Sequence, residues 1–327
     1  MPAVRDAGVA NVALHVKQVP GRKTDIADAH WLAILARNGL LRGGFVPPVQ
    51  FRELRLVPRQ LQKMTGILSG EKNRLHKVLS DTGVRLSIVV SDLHGKSARA
   101  MIKGLLAGET PQHVLQYASN RLKATEEKLL DALEGDISSH HHFVMTEMMA
   151  HIEELEARIK TFQQYLLQGL APYRTILQSL QTIPGLDETG AALLLVEIGD
   201  DMSAFGSPAR LASWTGVCPG NNESAGKKKS GKARKGNPYV RRVLCEAANA
   251  ASRTRCCLQD KFKGIMLRRG RKRAIFAIAH KLLKTVYLLI ERSDYYRDAD
   301  TDYEALSVQR NAPRWIKKLK QYGYITA

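Results

Sequence analysis

The sequence predicts a mainly α-helical protein, and three observations lead to this prediction. Five leucines recur at steps of seven or four residues, which keeps them on one helical face: Leu54, Leu61, Leu68, Leu75 and Leu79. Six apolar residues follow at 4-3-4-3-4 spacing: Met148, Ile152, Leu155, Ile159, Phe162 and Leu166. Two more apolar stripes at helical spacing run through residues 191–198 and 275–290. A small strand near residues 11–19 is the only β structure that we expect.

The charge of the chain indicates a polyanionic partner. Its 327 residues allow two or three domains, and 44% of them are apolar, as in folded globular proteins. The formal net charge is +19, so nucleic acid is the first partner to consider. A membrane span is not expected, because the sequence has no run of about 18 uncharged apolar residues. The first residues lack a signal-peptide pattern, which predicts a cytoplasmic, nucleoid-associated protein.

The cysteines and the histidine run do not predict a metal centre. The four cysteines, Cys218, Cys245, Cys256 and Cys257, include no C-x-x-C pair with zinc spacing. We therefore expect reduced, partly buried thiols. His140–His142 are consecutive, and neighbouring helical residues point about 100° apart, which favours exposed polar side chains.

The first segment, residues 1–50, contains a helix that begins near a pair of aspartates. Asp25 and Asp28 lie three residues apart, so a helix places them on one face. The apolar stripe of this helix is closed by Asn38–Gly39, a typical helix end; it comprises Ile26, Leu32, Leu35 and Ala36. The aspartates fit two interpretations: a helix N-cap with a first-turn acid, or part of a metal site.

The second segment, residues 51–172, is predicted to be almost entirely helical. Breaks are expected near Asp92–Gly95 and in the stretch "AGETPQ", and Pro172 ends the segment. The spacing from Met148 to Leu166 is that of an a/d seam of nearly three heptads. It fits a coiled coil or long antiparallel arm that self-associates, and equally one face of an ordinary helical bundle.

The third segment, residues 173–295, begins with the pattern of a helix–hairpin–helix. An apolar helix leads into Ile183–Leu186, and a second helix with small and apolar residues follows. The turn at Gly185 would expose backbone N–H groups at a helix N-terminus, where they suit a DNA phosphate. A tight helical corner without a ligand is the other interpretation.

A glycine-rich, basic stretch follows this motif. Between Ser224 and Arg242 there are eight cationic residues and no acid: Lys227, Lys228, Lys229, Lys232, Arg234, Lys235, Arg241 and Arg242. Such a loop is expected to order only when an anion neutralises it. A solvated loop or a localisation tag is the alternative. Ser224 and Ser230 are the candidate nucleophiles, although a loop serine is more commonly only a hydrogen-bonding residue.

Two apolar helices complete the third segment. One has Pro238 in its first turn and a narrow small-residue face: Val240, Leu244, Ala247, Ala248 and Ala251. The other is expected to run from Leu267 to Ile290, with cations at its start and an apolar core stripe. Residues 296–327 are predicted to form a tail, with Trp315 as a possible anchor.

Three motifs together resemble the insertion-sequence one-ten family of transposases. They read "GRKTDIADAHWLA", "IPGLDETGAALLLVEIGDDMSAF" and "GVCPGNNESAGKKKSGKARKGNPYVRRVL". The resemblance covers residues 11–292, and the motifs keep the family's order. It implies a RuvC-like, RNase H-type domain with an acidic DEDD site, a coiled-coil insertion and a C-terminal transposase domain with a serine nucleophile.

The resemblance also implies roles for particular residues. Asp25 and Asp28 correspond to the last two acids of the DEDD site and would bind Mg²⁺. Ser224, within "NESAGK", corresponds best to the nucleophile, and Ser230 is the second choice. Members of the family recombine DNA ends as multimers, directed by a structured non-coding RNA. DNA, a guide RNA and further copies of the chain are therefore the implied partners.

The sequence departs from the family pattern at its start. Only 24 residues precede Asp25, and the sole acid among them is Asp6. The first two DEDD acids and half of the RNase H-type sheet are therefore expected to lie outside this chain, whose N-terminus looks truncated. The main function predicted is a DNA transposase. The alternatives are a catalytically impaired remnant that only binds nucleic acid, and a scaffold whose basic surface is incidental.

Overall fold

The computed structural model describes residues 24–39, 45–119, 122–218, 222–224, 227–230, 233, 235–299 and 303–325. Its helices in chain order are α1 Asp25–Arg37, α2 Val49–Leu54, α3 Leu56–Asp81, α4 Leu86–Val89, α5 Lys96–Leu106, α6 Pro111–Val114, α7 Glu126–Leu133, α8 Ser139–Gly169, α9 Arg174–Gln181, α10 Glu188–Ile198, α11 Pro208–Thr215, α12 Pro238–Ala251, α13 Cys257–Arg269, α14 Arg271–Arg292 and α15 Tyr303–Gln321. Two short strands, β1 Asn222–Ser224 and β2 Lys227–Ser230, form an antiparallel hairpin. The prediction of a mainly α protein is confirmed. The strand expected near residues 11–19 lies outside the described residues, so the RuvC-like remnant stays a prediction.

The chain divides into two compact units. The helical unit is Leu56–Gln168, and the composite unit combines Met1–Arg55 with Gly169–Ala327. Neither unit contains, among the described residues, a helix long and apolar enough to cross a membrane. The composite unit therefore brings together residues from the two ends of the sequence.

Helices α3, α5 and α8 contribute to a hydrophobic core in the helical unit. Leu75 of α3, Met101 of α5 and Ile152 of α8 are all fully buried in it. Ion pairs cover its edge, where Glu156 accepts hydrogen bonds from Arg99 at 2.7 and 2.5 Å. The predicted seam residues of α8 are buried or partly buried. Ile152 of the seam is buried in this core and Met148 packs against it, which favours the bundle interpretation for this part of α8. The coiled coil and self-association through the seam stay predictions.

The composite unit is built around α10, whose residues from Gly190 to Ile198 are nearly all buried. Helices α2, α9 and α12 pack against α10, and α14 packs against α9, α11, α12 and α13. The predicted apolar faces of α12 and α14 are buried, except for Ile275, which is only partly buried. The segment before α2 joins this unit through Phe45, whose ring centroid lies 4.3 Å from that of Phe205.

Three expectations about the composite unit were wrong. The helix expected from Leu267 is interrupted, because Gly270 takes a positive φ of 79° that ends α13 before α14 begins. The expected tail contains the 19-residue helix α15, which packs against α13. The basic stretch, expected to order only around an anion, contains the β1–β2 hairpin, because backbone hydrogen bonds pair its two halves.

Candidate functional site

The basic stretch forms a loop that is closed at its base by a glycine contact. We call residues 217–235, which include Ser224, the serine loop. A Cβ atom on Gly236 would lie 2.3 Å from the carbonyl carbon of Thr215 and 2.4 Å from the nitrogen of Gly216. No side chain fits in that space, so the two ends of the loop meet. Because the two ends are already held together, ordering the middle of the loop costs less conformational entropy.

Asn237 anchors the end of this loop to the buried core. Its side-chain oxygen accepts hydrogen bonds from the backbone N–H groups of Tyr239 and Val240, at 3.0 and 3.2 Å, and so caps α12. Its amide nitrogen donates to the carboxylate of Glu197 at 2.8 Å. The Nε atom of Arg55 lies 3.3 Å from the same carboxylate oxygen. This buried carboxylate therefore has both a cationic partner and an amide donor.

The hairpin fixes the backbone positions of both candidate nucleophiles. Ser224 pairs with Lys227, Glu223 with Lys228, and Asn222 with Ser230. Ser224 thus ends β1 beside the two-residue connection between the strands, whereas Ser230 ends β2 at the opposite end of the hairpin. The strand that faces Ser224 carries Lys227–Lys229, so the hairpin places a serine and a row of lysines on adjacent backbone segments.

The two aspartates lie in the first turn of α1. The N-cap is Thr24, whose hydroxyl accepts a hydrogen bond from the Ala27 N–H at 3.2 Å, so the expectation that an aspartate is the cap was wrong. Asp25 is exposed and Asp28 is partly buried, and both favour the positive end of the helix dipole.

These two carboxylates do not by themselves make a DEDD metal site. Within the described ranges, no group of three or more His, Cys, Asp or Glu residues is arranged to hold a metal ion. Asp25 and Asp28 could supply oxygen ligands of the kind that Mg²⁺ prefers, but two-metal phosphoryl transfer requires more anionic ligands. The assignment of Mg²⁺ to this pair stays a prediction.

The turn at Gly185 has a clear packing role. Gly185 has a φ of 86°, and a Cβ atom there would lie 2.3 Å from the Ala247 carbonyl oxygen. The following helix, α10, is already capped by Asp187, which accepts a hydrogen bond from Gly190 N–H at 2.7 Å. Glu188 adds a second acid to that first turn. The carboxylates of Asp187 and Glu188 would repel a phosphate at this helix N-terminus. The contact between Gly185 and DNA stays a prediction.

The structure describes only some of the remaining predicted contact residues. Lys235 is exposed, and Arg241 is partly buried on α12. Arg242 is exposed and donates from Nε to Glu246 at 2.9 Å. Lys232 and Arg234 lie outside the described residues. All of them belong to the serine loop or to the first turns of α12.

The sequence interpretation missed a cavity of about 900 Å³ beside the serine loop. Val217 and Ala233, from the two ends of that loop, line it together with Lys261 of α13 and one face of α14. The signal was present in the sequence as two rows at i, i+4 spacing. The first row is Lys272, Phe276, His280, Lys284 and Leu288, and the second is Arg273, Ala277, Lys281 and Thr285.

Comparison with known proteins identifies the family of the chain. A family model described as "Transposase IS116/IS110/IS902 family" matches residues 177–263, which include Gly185 and the whole serine loop. A second model, described as "Transposase" and built on the DEDD domain of IS110 elements, matches residues 7–83, which include Asp25 and Asp28.

Two curated relatives agree with these models. A putative transposase, y4pF/y4sB of Sinorhizobium fredii, is 29% identical over 154 residues, which cover 45% of this chain and 39% of that protein. The transposase for insertion sequence element IS1111A of Coxiella burnetii is 29% identical over 136 residues, covering 40% of this chain and 37% of that protein. The chain therefore spans about two fifths of the length of these relatives. Both family models and both relatives lead to one conclusion: the chain belongs to the IS110 family of transposases.

Proposed function

We propose that this chain is the transposase of an insertion sequence and that it cuts and rejoins DNA strands by phosphoryl transfer, with Ser224 as the nucleophile. The observation that carries the proposal is the backbone position of Ser224. It lies opposite Lys227 on a hairpin whose loop is closed at its base by Gly236. The same loop lies within the matched transposase segment, residues 177–263.

The chemistry follows from the residue types in the loop. The oxygen of the Ser224 hydroxyl attacks a backbone phosphorus, and the hydroxyl proton passes to solvent. The P–O bond to one strand end breaks, that end leaves as an alcohol, and the phosphate stays on the serine. Attack by the hydroxyl of another strand reverses these changes and joins the new pair. Lys227–Lys229 supply positive charge that favours the negative charge developing on the phosphate.

The expected partners follow from the charge and the family. DNA, as element ends and target, is the substrate that a formal charge of +19 and the family match support. A structured guide RNA and a homo-oligomer remain implications of the family resemblance. Asp25 and Asp28 would contribute oxygen ligands to a Mg²⁺ site, although the described residues contain no group of three or more possible ligands around a metal position.

A non-catalytic nucleic-acid-binding protein is the second candidate. The observation that favours it is the pair of aspartates on α1, which alone does not complete a DEDD site. This candidate keeps the cationic serine loop and predicts binding without strand cleavage. A strand-exchange assay, described next, separates the two candidate functions.

The assay is strand exchange between paired DNA ends, in the presence of the element RNA and Mg²⁺. The proposal predicts exchange by this 327-residue chain, its loss in Ser224→Ala, and its retention in Ser230→Ala, which removes the same hydroxyl from the other end of the hairpin. Unchanged exchange in Ser224→Ala would overturn the nucleophile assignment. Salt-dependent binding without any exchange by the unsubstituted chain would support the second candidate.

A further inference from the structure

The cavity beside the serine loop combines several cationic side chains with an aromatic and aliphatic wall. We propose that this cavity binds an unstacked nucleotide of a nucleic-acid strand, with the phosphates on its lysines and the base against Phe276. This proposal depends on the proposed function in one respect: it assumes that a nucleic-acid strand binds at the serine loop. It assigns a binding site formed mainly by α13 and α14, beside the ends of the serine loop.

The position of the cavity links it to the serine loop. Val217 and Ala233 line it, and they lie near the two ends of that loop. His280 of α14 lines the same cavity as Val217, which places the cavity wall beside the start of the loop. A strand held in the cavity would therefore lie against the base of the loop that carries Ser224.

The charge of the cavity indicates an anionic ligand. Its lining includes four lysines and one arginine, and none of the described lining residues is acidic: Lys261, Lys272, Arg273, Lys281 and Lys284. Burial lowers the pKa of Lys261, and the nearby charges of Lys281 and Lys284 lower it further. The cations therefore repel one another inside a partly enclosed space. A phosphodiester would relieve that repulsion and release its own counterions on binding.

The apolar part of the cavity indicates what else the ligand carries. Phe276, Ala277 and Leu288 line it along α14, and the ring of Phe276 is partly exposed. An inorganic anion would leave this surface uncovered, whereas a nucleobase can stack on an aromatic ring. The volume of about 900 Å³ is within the range of small-molecule sites and exceeds what a phosphate alone would fill.

The same features argue against a base-paired ligand. A base inside a duplex is stacked on both faces, so it reaches an aromatic side chain in a pocket only after leaving the stack. The combination of a lysine-rich rim and an aromatic wall is typical of sites that hold single strands. An unpaired nucleotide near a strand end, of DNA or RNA, therefore fits the cavity best.

Binding of short labelled oligonucleotides tests the proposal, measured by fluorescence anisotropy in the Ser224→Ala background so that no chemistry takes place. The oligonucleotides are single-stranded DNA, single-stranded RNA and blunt duplex DNA. The test variants are Lys261→Ala with Lys284→Ala, and Phe276→Leu, which keeps an apolar side chain. The control is Lys317→Ala with Lys320→Ala, which removes the same charge from exposed positions on α15. Circular dichroism melting confirms that each variant is folded.

The proposal predicts a weaker single-strand affinity for both test variants than for the control. The affinity of Phe276→Leu for single strands should fall by about fivefold or more, and its affinity for the duplex should change little. The reason is that only an unpaired base can stack on the ring of Phe276. The lysine pair should also lower the dependence of the affinity on salt by more than the control does. A loss of affinity for single-stranded DNA, for single-stranded RNA or for both supports the site. The nucleic acid that shows the loss is the one that the cavity binds.

Single-strand affinities equal to those of the control, for folded test variants and with both nucleic acids, would overturn the site. This outcome leaves the proposed function untouched, because strand exchange depends on Ser224. Conversely, a failure of Ser224→Ala to abolish exchange would not affect these binding measurements. The two proposals can therefore fail separately.

Discussion

The side-chain amide of Asn237 donates a 2.8 Å hydrogen bond to the carboxylate of Glu197, a residue 40 positions earlier in the chain. Glu197 is only 2% exposed and lies on the central helix α10. Asn237 directly follows the closing glycine of the serine loop and caps α12. The contact therefore connects the loop that carries the candidate nucleophile to the most buried element of the composite unit.

Replacing Asn237 should destabilise the protein and loosen the loop. Asn237→Ala removes the cap of α12 and the amide donor to Glu197 together, so we expect a loss of about 2 kcal/mol in the free energy of unfolding. Asn237→Ser keeps a capping oxygen and removes only the amide, so its loss should be smaller. Urea unfolding measures both. Equal stability of Asn237→Ala and the unsubstituted chain would contradict this role.

Gly185 should be irreplaceable because of its contact with α12. A Cβ atom there would lie 2.3 Å from the Ala247 oxygen and 2.6 Å from the Ala251 nitrogen, at a φ of 86°. Gly185→Ala should therefore cost about 3 kcal/mol or more, through overpacking and backbone strain. Thermal melting followed by circular dichroism measures the effect.

Gly264→Ala is the control for this substitution. Gly264 lies within α13, and a Cβ atom there meets nothing within 4 Å. Because glycine is a weak helix former, alanine should stabilise the protein by about 0.5–1 kcal/mol. A comparable destabilisation of both variants would show that the close approach at Gly185 is not the cause.

The ion pairs of Glu156 should make the stability depend on pH in the acid range. A hydrogen bond from Arg99 lowers the pKa of Glu156 from 4.5 to about 2, with a smaller contribution from Lys72 and against the effect of burial. The contribution to stability is therefore fully present above the ordinary carboxyl pKa and is lost as the pH falls from 4.5 towards about 2.

Glu156→Gln tests this dependence. Because Glu156 is partly exposed, solvent screens the pairs, and the variant should lose only about 1 kcal/mol in the free energy of unfolding at neutral pH. The difference in the free energy of unfolding between Glu156→Gln and the unsubstituted chain should shrink as the pH falls from 4.5 towards about 2. Urea unfolding at several pH values measures it, and a difference that stays constant with pH would contradict the assignment.

The lysines of β2 should dominate the salt dependence of DNA binding. Each phosphate that they neutralise contributes about −0.9 to the slope of log K against log salt for duplex DNA. Lys227→Ala with Lys228→Ala and Lys229→Ala should therefore reduce the magnitude of that slope by about 2–3. The control removes Lys317, Lys318 and Lys320 from α15 in the same way. Equal reductions in the two triple variants would show that the hairpin has no special part in binding.

Helical periodicity predicted much of the core, because the spacing of apolar residues along a helix is a local property of the sequence. The apolar stripe of α1 is an exception, since none of its residues is buried. The apolar residues of α10, the small face of α12 and the breaks near Asp92–Gly95 and "AGETPQ" are where the pattern places them. The end of α1 at Asn38, followed by Gly39 with a φ of 65°, was predicted in the same way.

The features that pattern analysis missed depend on contacts between distant residues. The bond between Asn237 and Glu197 joins two segments whose proximity no periodicity reveals. The Gly236 contact with Thr215 has the same character. For the lysines of α14, the i, i+4 rows were visible, but the cavity also needs Lys261 from α13 and the ends of the serine loop. Charge alone therefore predicted an anionic partner without locating this cavity.

A covalent bond between the chain and DNA is the most direct sign that Ser224 acts as a nucleophile. End-labelled DNA with paired element ends is incubated with the protein, denatured and resolved by gel electrophoresis. If Ser224 is the nucleophile, a labelled band should migrate with the protein, persist in Ser230→Ala and be absent from Ser224→Ala. A covalent band of unchanged intensity in Ser224→Ala would show that another residue is the nucleophile.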